Sequence, residues 1–229
     1  MNGFSECPQT VDGWAAFPSR HYNAPWMDSD PRRINVRARL NIAQIEPGKY
    51  DDAAKLFKET VAPAISSAPG NAGTVTAIDD TNNQAIAISL WETESDMEAF
   101  PGPVQENPSL AAGIFSMPER EFYDVSIMDR PEGVTAATRV RVVRRKIQPG
   151  KLDEAIRLFN DSIIPTVRDR KGNVSAWLLT NAASSEIVAV AFWASDEEMM
   201  AEEPPGDVTP ISVGPAQRHH CDVISATVK

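Results

Sequence analysis

Cysteine is scarce in this 229-residue chain: Cys7 and Cys221 are the only two. Two thiols make no disulfide scaffold, and a chain of this length buries enough core to fold without one. Neither stands in a Cys-x-x-Cys or Cys-His zinc spacing, so no metal site is expected. Both read as reduced thiols of a cytoplasmic protein. Basic residues are outnumbered, 22 Lys+Arg against 32 Asp+Glu, for a formal net charge of −10. The clustered basic surface that a nucleic-acid partner requires is therefore missing. No apolar run approaches the ~18 residues of a membrane span. The opening residues, Met1 to Pro8, lack the basic-then-apolar order of a secretory signal. No Gly-x-Gly-x-x-Gly, phosphate-binding loop, His-Glu-x-x-His or Gly-x-Ser-x-Gly pattern occurs in a suitable context. Nucleotide-binding, zinc-protease and serine-hydrolase readings lose their support with them.

What the chain does have is an internal repeat. Ile45-Glu46-Pro47-Gly48-Lys49 returns as Ile147-Gln148-Pro149-Gly150-Lys151, an offset of 102. Between 45–97 and 147–199, 14 of 53 positions are identical without a gap, including Pro63/Pro165, Gly70/Gly172, Asn71/Asn173, Trp91/Trp193 and Met97/Met199. Downstream the offset falls to 98, aligning Arg120 with Arg218 and Asp124 with Asp222. A period near 100 is too long for a solenoid and is the size of a small domain. Each copy reads as strand, amphipathic helix, two strands, short acidic helix, strand. Val36–Ile45 and Thr138–Ile147 are β-rich and end at Pro-Gly. Ala53, Leu56, Phe57 and Val61 then follow a helical period. Pro63 and Pro165 are expected at the helix ends, and Thr93 and Ser195 as N-caps of the acidic helix.

The order β-α-β-β-α-β is the ferredoxin-like unit. Both faces of Ala85–Trp91 and Ile187–Trp193 are apolar, so each sheet needs cover on both sides. The expected fold is α+β: two tandem ferredoxin-like domains, 34–129 and 137–229, joined by a linker at 130–136. Their antiparallel sheets should pack face to face as an intramolecular barrel, a pseudo-dimer, with helices outside. Whether the pair associates further is left open. Residues 1–33 have no counterpart in the repeat. They carry Phe4, Trp14, Phe17, Tyr22 and Trp26 and read as an ordered arm, from which His21 and Tyr22 could reach a pocket mouth.

The run Leu90-Trp91-Glu92-Thr93-Glu94-Ser95-Asp96-Met97, with Phe192 to Met199 repeating it, resembles the antibiotic biosynthesis monooxygenase (ABM) family of dimeric α/β barrels. The resemblance spans about 35–128 and 137–229. It implies a family dimer fused into one chain, and a cofactor-independent oxygenase acting with O2 on an aromatic, polyketide- or quinol-like molecule. A non-catalytic binding or structural barrel is the alternative. The candidate catalytic residues are Asn41, Trp91, Trp193 and His220. Trp91 shares a face with Ala85, Ala87 and Ser89, and Trp193 with Ala189 and Ala191. A large ring beside small residues leaves room for a flat ligand, or else simply fills the core. Arg39 and Arg141 share the face of Asn41 and could hold a phenolate. Ala87 and Met97, with Ala189 and Met199, stand where relatives often carry Asn and Tyr, and are placed on the substrate wall. Of the adjacent pair His219-His220, one should face the cavity as a general base. Asn41 against Val143, and His220 against Phe122, hint that the halves have diverged.

Overall fold

A computed structural model describes residues 36–201 and 208–229; the proposed N-terminal arm lies outside the described residues. Eight strands follow in chain order: β1 (Arg37–Gln44), β2 (Asn71–Asp79), β3 (Gln84–Trp91), β4 (Glu119–Asp129), β5 (Arg139–Ile147), β6 (Asn173–Asn181), β7 (Glu186–Trp193) and β8 (Ser212–Val228). A long helix follows β1 (50–66) and another follows β5 (152–168). Short helices Glu94–Ala99 and Asp196–Met200 follow β3 and β7. Thr93 and Ser195 cap them as expected, accepting the N–H of Asp96 and of Glu198.

The strands close into one antiparallel barrel in the order β1-β3-β2-β8-β5-β7-β6-β4. An intramolecular barrel of two packed sheets was expected; the barrel is there, and the two sets of strands are hydrogen-bonded into one closed sheet. Two open sheets would present four edges of unpaired N–H and C=O groups. The long strands remove them. β4 pairs with β1 through Asp124, then crosses to β6 from Asp124 to Asp129. β8 pairs with β5 through Asp222, then crosses to β2. The hand-over residues sit at aligned positions and carry the same ion pair: Asp124 with Arg37 and Asp222 with Arg139.

Alternation along each strand sorts the residues into three cores. Leu40, Ile88, Tyr123, Val142, Trp177, Phe192 and Cys221 fill the barrel interior. The outward set of the first half, with Trp91, Ala87 and Ile78, packs under the helix carrying Phe57 and Val61. The outward set of the second, with Trp193, Leu178 and Ile187, packs under Phe159 and Ile163. The segment read as a linker does more than connect. Pro131–Ala136 forms a 3-10 turn whose Val134 is fully buried in the barrel cluster, so it closes the barrel as a plug.

The prolines do not end the helices. Pro63 and Pro165 lie inside them, and a π-turn (Phe57–Val61 or Phe159–Ile163) immediately precedes each. The Ala62 N–H donates to the Phe57 carbonyl and the Ile164 N–H to the Phe159 carbonyl, five residues back in both cases. The wider turn spares the proline ring the carbonyl four residues before it, so the helix continues where an α-turn would break.

Candidate functional site

The space between barrel and long helix is where small outward residues leave room, and the two halves use it differently. In the first half a void of about 40 Å³ remains, lined by Arg39, Asn41, Ala43, Phe57, Ala87, Arg120 and the Pro101–Val104 turn. That holds little more than one water, whose share of liquid volume is about 30 Å³. In the second half the cavity is about 250 Å³, lined by Arg141, Val143, Arg145, Phe159, Ile163, Val167, Arg170, Ala189, Ala191, Trp193 and Arg218. This approaches the ~300–1,000 Å³ of ligand pockets.

The first half is closed by its own side chains. Phe100 stacks against Trp91 with ring centroids 5.5 Å apart, and the Arg39 guanidinium sits 5.2 Å from the Trp91 centroid. Arg39 donates to the carbonyls of Met97 (3.2 Å) and Phe100 (2.6 Å). Burial and the nearby Arg120 lower its pKa to about 10, so it stays charged at neutral pH. The Trp91 indole N–H donates to the Ser89 hydroxyl at 2.9 Å. Asn41 Oδ1 is buried with no hydrogen-bond partner, but faces only the small void.

The second half repeats the frame and changes the contents. Arg141 donates to the Met199 carbonyl and lies over the Trp193 ring at 5.9 Å, as Arg39 does over Trp91. The counterpart of Ser89 is Ala191, which has no hydroxyl. The Trp193 indole N–H is therefore buried without a partner, in a residue 2% exposed that lines the cavity. A buried donor left unmade costs ~1–3 kcal/mol. The residue closing the first half, Phe100, has no counterpart among the described residues. Ala43 is replaced by Arg145 and Ala68 by Arg170, which add two guanidiniums to the cavity wall.

Of the residues singled out by sequence, Arg39, Asn41 and Ala87 meet at the first void, and Arg141, Ala189 and Trp193 at the second cavity. Trp91 lines neither, because Phe100 and Arg39 cover it. Met97 and Met199 are buried off the cavities and contribute their backbone carbonyls, which hold Arg39 and Arg141. His220 stands opposite Arg141 in the β5–β8 ladder without lining the cavity. Burial and Arg141 lower its pKa from 6.5, so it is neutral near pH 7. His219 faces the barrel interior, its Nδ1 3.1 Å from Asp79 Oδ2. Arg145, Arg170 and Phe100 were missed. The first two are visible in the repeat as alanines that became arginines. Among the described residues no cluster of His, Cys, Asp or Glu could hold a metal, and no helix is long and apolar enough to cross a membrane.

Eight antiparallel strands closed into a barrel with helices outside define an α+β barrel with its larger cavity under the second long helix. No protein-family model matches the chain, and no curated protein matches it. Solved structures do. A candidate monooxygenase from Fusobacterium nucleatum superimposes with a TM-score of 0.68 at 12% identity, covering 85% of this chain and 94% of that one. An anthrone oxidase-like protein gives 0.63 at 14%, covering 85% and 94%. A candidate monooxygenase from Lactobacillus acidophilus gives 0.62 at 9%, covering 84% and 96%. At these identities the likeness is one of fold: these structures share the strand barrel with helices outside.

Proposed function

We propose that the second-half cavity binds a flat acidic aromatic molecule, such as a hydroquinone or an anthrone, and that the chain oxygenates it with O2 without metal or flavin. The observation that carries this is the unpartnered Trp193 N–H, on a residue that lines a cavity bearing guanidiniums. The fold likeness to candidate monooxygenases and to an anthrone oxidase-like protein supports it. In the same reading, 34–129 and 137–229 are fused copies of one ferredoxin-like unit. The second keeps the site and the first supports it.

The chemistry follows from the wall. Among the described lining residues the polar side chains are arginines, Thr209, Trp193 and Trp177, whose N–H is already given to Ser175. None is a general base at neutral pH, so the substrate's acidity is set by field. A phenolic oxygen accepting from the Trp193 N–H beside Arg141 is more easily deprotonated, because its anion is the stabilised form. The electron-rich anion passes one electron to O2, and the radical pair recombines as a hydroperoxide. For an anthrone-type methylene, loss of water then leaves a carbonyl: one oxygen atom stays, and the other leaves as water with both methylene hydrogens. Phe159, Ile163 and Val167 keep solvent from the pair. In this reading Trp193, Arg141 and Ala189 form the site, and Asn41, Trp91 and His220 fall outside it.

The test is oxygen uptake on anthrones and hydroquinones with metal and flavin excluded. Wild-type uptake is expected, with a ~100-fold loss in Trp193→Phe, the scale of removing one oxyanion donor, and little change in Trp91→Phe. Binding without uptake would mark a binding protein instead. Equal uptake by Trp193→Phe would remove the tryptophan from the mechanism.

A further inference from the structure

The repeat supplies an internal control for what the second cavity recognises. Arg39 and Arg120 in the first half keep their counterparts, Arg141 and Arg218, in the second. Arg145 is different. Its counterpart Ala43 is 4% exposed and packs into the core of the first half, so the fold needs no cation at this position. Arg170 repeats the pattern, replacing buried Ala68. Both changes fall on the wall of the larger cavity, in a protein of net charge −10. Arg141, Arg170 and Arg218 also engage other groups of the chain, which leaves Arg145 as the diagnostic residue. Its only described side-chain bond is a long one, 3.4 Å to the Ser212 hydroxyl.

Position sharpens this. Arg141 and Arg145 share a face of β5 four residues apart, about 13 Å at ~3.3 Å per residue. The Arg141 end holds the unpartnered Trp193 N–H. The Arg145 end lies at a register shift between β5 and β8, where residues 214–216 find no partner on β5 and Gly214 takes φ +72°. Such irregularities re-aim side chains beside binding sites. The cavity thus has two separated places for an anionic oxygen and an apolar middle.

Resting on the function proposed above, we infer that the substrate carries a second acidic group, a carboxylate, at the far end of its ring system from the reacting phenol, and that Arg145 receives it. The phenolic end lies against Trp193 and Arg141. A neutral anthrone fits the middle of the cavity but leaves Arg145 without its anion, so the preferred substrate is an aromatic hydroxy acid.

The experiment is calorimetric binding of 6-hydroxy-2-naphthoate and its methyl ester, a rigid pair differing in one charge. The acid should bind wild type at least ~10-fold more tightly than the ester, the scale of a hydrogen bond to a charged group. Arg145→Ala, which installs the residue the first half carries, should bring the ratio to about one by weakening the acid more than the ester, with circular dichroism and the melting temperature reporting that the variant is folded. Arg145→Lys should keep most of the preference. Trp193→Phe should weaken acid and ester equally. Equal affinities in wild type, or a preference surviving in Arg145→Ala, would overturn the assignment and leave the aromatic site standing. If neither probe binds, the aromatic site itself fails and the carboxylate reading falls with it.

Discussion

Trp91 and Trp193 occupy the same place in the two copies and are both buried, yet a substitution at each should read out differently. Removing the Trp91 N–H strands the Ser89 hydroxyl in a dry core, which costs ~1–3 kcal/mol. Removing the Trp193 N–H strands nothing, since that donor has no partner. Both variants lose ring volume in the core, so thermal or urea unfolding should show Trp91→Phe more destabilised than Trp193→Phe, the reverse of the order expected for activity. Asp79 gives a second prediction at this scale. It is fully buried. Burial would raise its pKa, but hydrogen bonds from His219 and Asn82 outweigh burial and hold it below 3.8. A carboxyl depressed in the fold contributes stability above its unfolded value near 3.8. That contribution is lost as pH falls through the folded value. Urea midpoints followed downward from about pH 5 should drop most steeply below about pH 4. Asp79→Asn, which cannot ionise, should flatten that limb.

The helix-to-strand connections show how much of an element the sequence discloses. Gly70-Asn71 and Gly172-Asn173 stand out in the repeat, and the structure explains both residues. Asn71 donates to the carbonyls of Gly73 and Leu90, and Asn173 to those of Ser175 and Phe192, pinning β2 to β3 and β6 to β7 identically. Gly172 has φ +75°, and a Cβ there would clash with the Glu198 side chain. Gly172→Ala should cost roughly 1–3 kcal/mol by denaturant titration, from the left-handed backbone and the displaced acidic helix together. Strands, caps and these turns were legible because periodicity and turn chemistry are local. The π-turns were not. Proline says that an α-turn is blocked, but whether the helix stops or widens depends on the barrel beneath Phe57 and Phe159. The cavity was half legible for the same reason: Trp193 and Ala191 could be read off one strand, whereas the closure of the first half by Phe100 depends on a loop folding back.

At the scale of the whole molecule, the barrel interior specifies which half pairs with which. Among the polar contacts that cross between halves, two pair charged or ionisable side chains on the interior-facing positions: Asp79 with His219, and Glu121 with Arg144. The repeat aligns Glu121 with His219, Asp79 with Asn181 and Arg144 with Ile42. Two copies of the first half would thus bring buried Asp79 against the other copy's Glu121, setting two carboxylates together. Two copies of the second would set Arg144 near a histidine with no acid to receive either. Like charges in a low-dielectric interior are strongly disfavoured, whereas the mixed pair satisfies both contacts. On the reading proposed above, two fused units need no self-complementary interior, and that same freedom permits one cavity to open while the other closes. If the chain is split and co-expressed as residues 1–130 and 131–229, native mass spectrometry should find the one-to-one heterodimer in large excess over either homodimer. Replacing Glu121 with Gln and Asp79 with Asn in the first fragment should raise its homodimer fraction, because the repulsion that forbids it is gone. Homodimers as abundant as heterodimers in the unmodified pair would show that packing alone, and not these charges, decides the assembly.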